Sequence, residues 1–302
     1  MSLEHGSRTV VTMTHDQQHH RHHHSGSEED SAVLIEQLDL DAVVFGSYLA
    51  SVTGLVQEQA AGRAVRQILD LGCGTGNGAL KLAQLFGDAE VIAVDSSAPM
   101  LARLQAKARD LGLEDRVRVI DSDLDKAWPL TGTVDLVWMS MALHHLADPK
   151  RGLAEMFAAI NPGGLLALAE LAEPLRFLPD GLGVGQPGLE ERCNTAQTEF
   201  AAAEMPYLGA DWGPLVSEAG FEVVTEQRFE LELASPLAPA ARRYALGYLK
   251  RSRSRAESAL SPDDLAALDA LTSNDGPHSV LSRTDLHIRG ARTLWIGRRP
   301  SR

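Results

Sequence analysis

Ile68-Leu69-Asp70-Leu71-Gly72-Cys73-Gly74-Thr75-Gly76-Asn77-Gly78 is the stretch from which the rest of the chain is read. Ile68, Leu69 and Leu71 predict a buried strand that carries one carboxylate, and glycine then takes every second position. Glycine adopts positive φ without a Cβ penalty and lets backbone come close to a bound group. Residues 77–86 continue as a helical pattern, so the loop joins a strand to a helix N-terminus. A nucleoside-type ligand sits at such a junction in open α/β sheets. Asp70 stands directly before the first glycine, where a carboxylate repels a pyrophosphate and attracts a cation. In a second register, Gly74-Thr75-Gly76-Asn77-Gly78-Ala79 satisfies the looser dinucleotide fingerprint G-x-G-x-x-G/A, starting two residues further from the strand. No G-x-x-x-x-G-K-[ST] motif occurs, which argues against a triphosphate loop of that type.

Outward from this stretch, short apolar or β-branched runs alternate with helical patterns, as a doubly wound sheet requires. Strands are expected at residues 65–70, 91–95, 117–120, 133–139, 165–170, 221–233 and 288–298. Helices are expected between them, one opening near Pro149 and one closing at Gly112. Asn161-Pro162-Gly163-Gly164 predicts a turn. Residues 31–60 predict helices ahead of the first strand. Residues 173–208 are rich in Gly and Pro early and helical later, and residues 235–285 carry two helical patterns.

The pattern D-x-G-x-G-x-G resembles the first motif of the class I S-adenosylmethionine-dependent methyltransferases, whose cofactor carries an ammonium and a sulfonium where a dinucleotide carries phosphates. The resemblance spans residues 65–170 by motif and 210–300 by strand order. It implies a Rossmann-like α/β sheet of about seven strands with the last antiparallel, and a helical cap from the N-terminal helices and the insertions. Residues 31–302 then form the methyltransferase domain, with 65–170 as the cofactor-binding core and 31–60, 173–208 and 235–285 as the cap. The cofactor contacts it implies are Asp70, Gly72, Cys73, Gly74, Gly76 and Asn77 in the loop, and Asp95, Ser96 and Met100 at and beyond the second strand. Asp123 and Leu124 follow the third strand, and Ser140 and His145 follow the fourth. Asp95 accepts ribose hydroxyls in either cofactor family, whereas Asp123 accepts from the adenine amino group in methyltransferases. Asp121 and Asp125 lie close enough to compete for that role, and Asp-rich turns are also common on surfaces.

Ser140 to Pro149 contains the pair His144-His145. An imidazole titrates near neutrality and serves as a general base where an acceptor must lose a proton, so both are candidate catalytic residues. The plainer role is packing against the cofactor or the next helix. Methyl transfer depends chiefly on alignment of acceptor, methyl carbon and sulfur. The resemblance therefore implies transfer of a methyl group to O, N or C of a small-molecule acceptor by in-line displacement. An NAD-dependent oxidoreductase and a non-catalytic S-adenosylmethionine-binding module are the alternatives.

Composition agrees with a small-molecule partner. The 302 residues include 41 acidic against 28 basic side chains, for a formal net charge of -13, which disfavours nucleic acid and anionic membrane surfaces. The one basic run, Lys250 to Arg255, reads as a solvated helix face. Two cysteines, Cys73 and Cys193, make no disulfide framework, and no apolar stretch has the length of a bilayer span, so a cytoplasmic enzyme is expected. Residues 1–30, with His15, His19, His20 and His22 to His24, predict a disordered His-rich tail. Outside it no cluster of metal ligands is evident. Tyr48, Phe177, Tyr207, Tyr244 and Tyr248 are candidate lining residues of the acceptor pocket.

Overall fold

The computed structural model describes residues 28–129 and 132–301. The strands are β1 (Gln67–Leu71), β2 (Glu90–Asp95), β3 (Val117–Asp121), β4 (Val134–Ser140), β5 (Ile160–Arg176), β6 (Glu222–Glu230) and β7 (Arg289–Arg298). They form one sheet in the order β3-β2-β1-β4-β5-β7-β6. Strands β1 to β5 run parallel, and β7 lies antiparallel between β5 and β6. The chain order thus reverses direction on either side of β1, and ligands of such sheets bind outside the carboxyl ends at that point.

The helices are α1 (Glu28–Val44), α2 (Gly46–Gln59), α3 (Asn77–Leu85), α4 (Ala98–Asp110), α5 (Pro149–Ala159), α6 (Leu189–Glu204), α7 (Gly213–Glu218), α8 (Pro239–Arg255) and α9 (Pro262–Thr272). Strand alternation divides the core. Ile68, Leu136, Ala167 and Leu294 face the side covered by α2, α3, α4 and α8, while Leu69, Val137, Met139 and Trp295 face α5 and α7. Helices α1 and α2 bend by 73° at Phe45 and lie over the first of these faces. Among the described residues no single helix is long and apolar enough to cross a membrane.

Three boundaries differ from the sequence reading. Residues 161–164 make no turn but a bulge inside β5, where the register with β4 jumps from Val134↔Ile160 to Leu136↔Leu165. Gly163 takes φ +78 there, and Gly164 leaves no room for a Cβ beside the Asp135 carbonyl. Residues 173–176, assigned to the cap, extend β5 because β7 supplies ladder partners as far as Arg176↔Arg289. Residues 28–30, assigned to the tail, fall within α1, which begins at Glu28. The remainder of the expected His-rich tail lies outside the described residues.

Candidate functional site

Between β1 and α3 the glycine loop makes three positive-φ steps, Gly72 at +66, Gly74 at +52 and Gly76 at +81. A Cβ at Gly72 would stand 2.6 Å from Ala142 Cβ, one at Gly74 3.1 Å from Leu38, and one at Gly76 2.4 Å from Leu104. Packing of the loop against its own protein thus demands glycine on one side and leaves its other side as bare backbone. Asp70 is buried under this loop at 2% exposure. Its Oδ2 has no partner, and Gly78 packs beside it. Burial pushes its carboxyl up to about 7, opposed by a bond from the Ala79 N–H at the start of α3 and reinforced by the Asp95 charge. An orphaned buried carboxylate oxygen next to a bare glycine backbone fits a cationic nucleoside cofactor better than a pyrophosphate.

The acid after β2 is tied directly to the loop. Asp95 Oδ2 accepts from Gly74 N at 2.8 Å, and Oδ1 accepts from Ser97 N at 2.9 Å. A carboxylate has about four lone-pair sites, so both oxygens retain capacity for hydroxyl donors. Met100 packs in the core under α4, and Ser96 is exposed. Asp123 organises its own turn, accepting from Asp125 N at 3.0 Å and pairing with Lys126 at 2.7 Å. Leu124 is partly buried next to it.

Two loop residues serve the protein itself. Asn77 donates to the Leu38 carbonyl at 2.8 Å and accepts from Lys107 at 2.6 Å, while Lys107 and Arg103 hold Asp39 at 2.9 and 2.7 Å. Helix α1 is thereby fastened onto the glycine loop. Cys73 is buried, and burial first, then the charges of Asp70 and Asp95, push its thiol far above its ordinary range. It is a packing residue.

After β4, Ser140 ends the strand, and Met141 takes the strained value φ +54. Glu170, 1% exposed, holds this segment: Oε1 accepts from Ala142 N and Leu143 N at 3.0 and 2.8 Å, and Oε2 lies 2.6 Å from His144 Nδ1. His144 is buried, and exposed His145 packs its ring 4.2 Å away. Of the two histidines, only His145 opens to solvent. Glu170 is the residue that sequence reasoning missed. It is a lone acid closing the apolar run 165–169, the same signature that drew attention to Asp70 and Asp95.

Helix α1 reaches the far side of the sheet as well. Asp41 accepts from Arg292 of β7 at 2.7 and 3.3 Å and from the Tyr244 hydroxyl of α8 at 3.0 Å. Gln37 donates to the Tyr244 carbonyl at 3.2 Å. Tyr48, Tyr244, Phe177 and Tyr248 meet in this seam, whereas Tyr207 packs against Trp212 on the opposite face.

Residues 68–164 match a family model described as a methyltransferase domain. Over 106 residues the chain is 41% identical to trans-aconitate 2-methyltransferase of Deinococcus radiodurans, covering 35% of this chain and 38% of that protein. Over 113 residues it is 37% identical to demethylmenaquinone methyltransferase of Thermus thermophilus, covering 37% and 50%. The matched stretch spans half or less of these relatives. A solved Bacillus halodurans protein, provisionally assigned as a methyltransferase, shares the fold with a TM-score of 0.54 at 19% identity, over 84% of this chain and 99% of that one.

Proposed function

We propose that this chain, whose core at residues 68–164 belongs to the class I S-adenosylmethionine-dependent methyltransferases, binds S-adenosylmethionine at the glycine loop and methylates O, N or C of a small molecule. The bond from Gly74 N to Asp95 carries the reading, because it joins the loop after β1 to the acid after β2 in one preformed cradle. The cofactor supplies an activated methyl on a cationic sulfur, so the protein needs chiefly to align an acceptor with it. Asp95 is the acceptor for ribose hydroxyls, and Asp123 after β3 is the acceptor for the base. Asp70 provides the negative charge under the loop, and Gly72, Gly74 and Gly76 provide its bare backbone. Helix α1 closes the loop against water through Leu38 and Asp39.

Glu170 fixes the segment that carries Ala142, whose Cβ bounds the loop at Gly72. By engaging His144 Nδ1 it also sets which ring nitrogen carries the proton. Where an acceptor must lose a proton, His145 is the exposed imidazole beside this anchored pair. The matched relatives, by their names, methylate trans-aconitate and demethylmenaquinone, and both are small molecules.

Calorimetric titration with S-adenosylhomocysteine tests the reading. Wild type binds it, NAD does not compete, and Asp95→Ala weakens binding by at least about tenfold, the worth of one or two charge-assisted hydrogen bonds. Binding of NAD with no binding of S-adenosylhomocysteine would refute the assignment.

A further inference from the structure

Lys107 of α4 is a cation largely closed to solvent, with 19% of its side chain exposed. Its ammonium meets three oxygens: Asn77 Oδ1 at 2.6 Å, Asp39 Oδ1 at 2.9 Å and, in a longer contact, Thr75 Oγ1 at 3.5 Å. These acceptors belong to the start of α3, to α1 and to the glycine loop, so one group ties together elements far apart in sequence. An ammonium has three donors, and here each has a protein oxygen within reach.

The arrangement has a cost that stability alone does not explain. Burial lowers the Lys107 ammonium from its ordinary range, opposed by the bond and charge of Asp39 and reinforced by the charge of Arg103 one turn earlier. Arg103 reaches the same Asp39 at 2.7 Å from a side chain 44% exposed, where an ion pair avoids most of the desolvation. What the deeper position of Lys107 adds is the reach to Asn77 and Thr75.

The glycine loop needs such outside support. Gly72, Gly74 and Gly76 all take positive φ, and glycine backbone loses more freedom on ordering than any other. Gly76 precedes α3 without a side-chain cap, so the first turn of the helix is not held by its own cap residue. Asn77 opens α3, and its amide is gripped at both ends, Oδ1 by Lys107 and Nδ2 by the Leu38 carbonyl at 2.8 Å. Thr75, between two of the glycines, is 1% exposed. Leu104, one turn before Lys107 on α4, occupies the space beside Gly76. Helix α4 thus supports the loop sterically at Gly76 and by a charged hydrogen bond at Asn77.

We propose that Lys107 is a positioning residue for the cofactor: through Asn77 and Thr75 it holds the glycine loop in the shape that the cofactor meets. The proposal rests on the methyltransferase reading above. Lys107 acts through the loop and needs no contact with the ligand. A loop ordered in advance costs less entropy when the ligand arrives, and the saving is read as affinity. Charge alone predicts another outcome, because removing a cation near the loop favours the sulfonium of S-adenosylmethionine over neutral sulfur.

The test titrates the full chain by calorimetry with S-adenosylhomocysteine and with S-adenosylmethionine, comparing wild type, Lys107→Met, Lys107→Arg, Asn77→Ala and the double variant of Lys107→Met with Asn77→Ala. Lys107→Met keeps the length and apolar stem of the side chain and loses at least about tenfold in affinity, equally for both ligands. Lys107→Arg retains charge and donors and recovers most of the loss. Asn77→Ala leaves the pair of Lys107 with Asp39 intact and tests the link from the loop side. The double variant loses no more than the larger single loss, because both changes break one interaction. Hydrogen exchange without ligand speeds at least about tenfold over residues 72–80 in Lys107→Met, and by more than over β7, which reports global opening. Unchanged affinity or unchanged loop exchange in Lys107→Met overturns the proposal, as do additive losses in the double variant. A variant that weakens S-adenosylhomocysteine but not S-adenosylmethionine overturns it too, since charge then explains Lys107. Wild type that binds neither ligand overturns the enzyme reading, a result distinct from wild type and Lys107→Met binding equally well.

Discussion

Replacing Asp70 by Asn keeps the shape of the side chain and removes its charge. In the folded protein burial lifts the Asp70 carboxyl from 3.8 to about 7, with the Ala79 N–H opposing and the Asp95 charge adding. A raised carboxyl binds its proton more tightly in the folded state than in the unfolded chain. Stability supplied at acid pH is therefore lost as pH rises from about 4 to 7, and the loss is complete above that window. Three pH units at ~1.4 kcal/mol each set the upper magnitude near 4 kcal/mol. Asn still offers an acceptor to Ala79 N–H, but its amide hydrogens bury at the unpartnered Oδ2 position at a cost of ~1–2 kcal/mol. The Asp70→Asn variant is accordingly about as stable as wild type at pH 5 and ~2–3 kcal/mol more stable at pH 9, a divergence of several degrees in melting temperature. Urea melts of both proteins at pH 5 to 9 read the difference directly. A difference that stays flat across that range would refute the claim that Asp70 ionises reluctantly. On the same samples the variant binds S-adenosylhomocysteine more weakly, since the charge that lowers stability is the one the loop offers to a cation.

Two further substitutions probe the loop and its neighbour. Gly76→Ala forces an L residue to φ +81 and sets its Cβ 2.4 Å from Leu104, so calorimetry should show a loss of ~2–4 kcal/mol; a loss under ~0.5 kcal/mol would mean the loop relaxes freely. Glu170→Gln keeps the acceptor for Ala142 and Leu143 but turns an amide toward His144 Nδ1, so nitrogen NMR should find the ring proton moved to Nε2, with ~1–3 kcal/mol lost from stability; an unchanged tautomer would show that Glu170 does not govern the ring.

The fold was legible where local chemistry alone decides it. An apolar run followed by an acid marks β1, β2 and the stretch of β5 that pairs with β4 as far as Ala169, because a buried parallel strand is apolar on both faces and its polar residue waits near the carboxyl end of the parallel ladder. Asn161-Pro162-Gly163-Gly164 was misleading for a physical reason. Pro and Gly favour a turn locally, but the ladder with β4 passes over the extra residues as a bulge and resumes at Leu136↔Leu165, where pairing with β7 also begins. The extension of β5 to Arg176 was equally hidden, since it depends on a strand more than a hundred residues away.

The same contrast divides the candidate site. Its cofactor half lies on consecutive β–α turns, so spacing along the chain maps onto neighbours in space, and Asp95 does meet Gly74. Spacing does not reveal which way a side chain turns. Asn77, in the loop itself, spends its amide on α1, and the glycines are required by Ala142, Leu38 and Leu104 as much as by any ligand. The seam around Asp41 has no such sequence logic. Asp41 comes from α1, Tyr244 from α8 and Arg292 from β7, and each reads alone as an ordinary amphipathic residue. Arg251 belongs to a basic run that looks like a solvated helix face, yet one of its nitrogens ends buried without a partner because α1 folds over it. The elements added around the core thus meet through contacts between residues far apart in sequence.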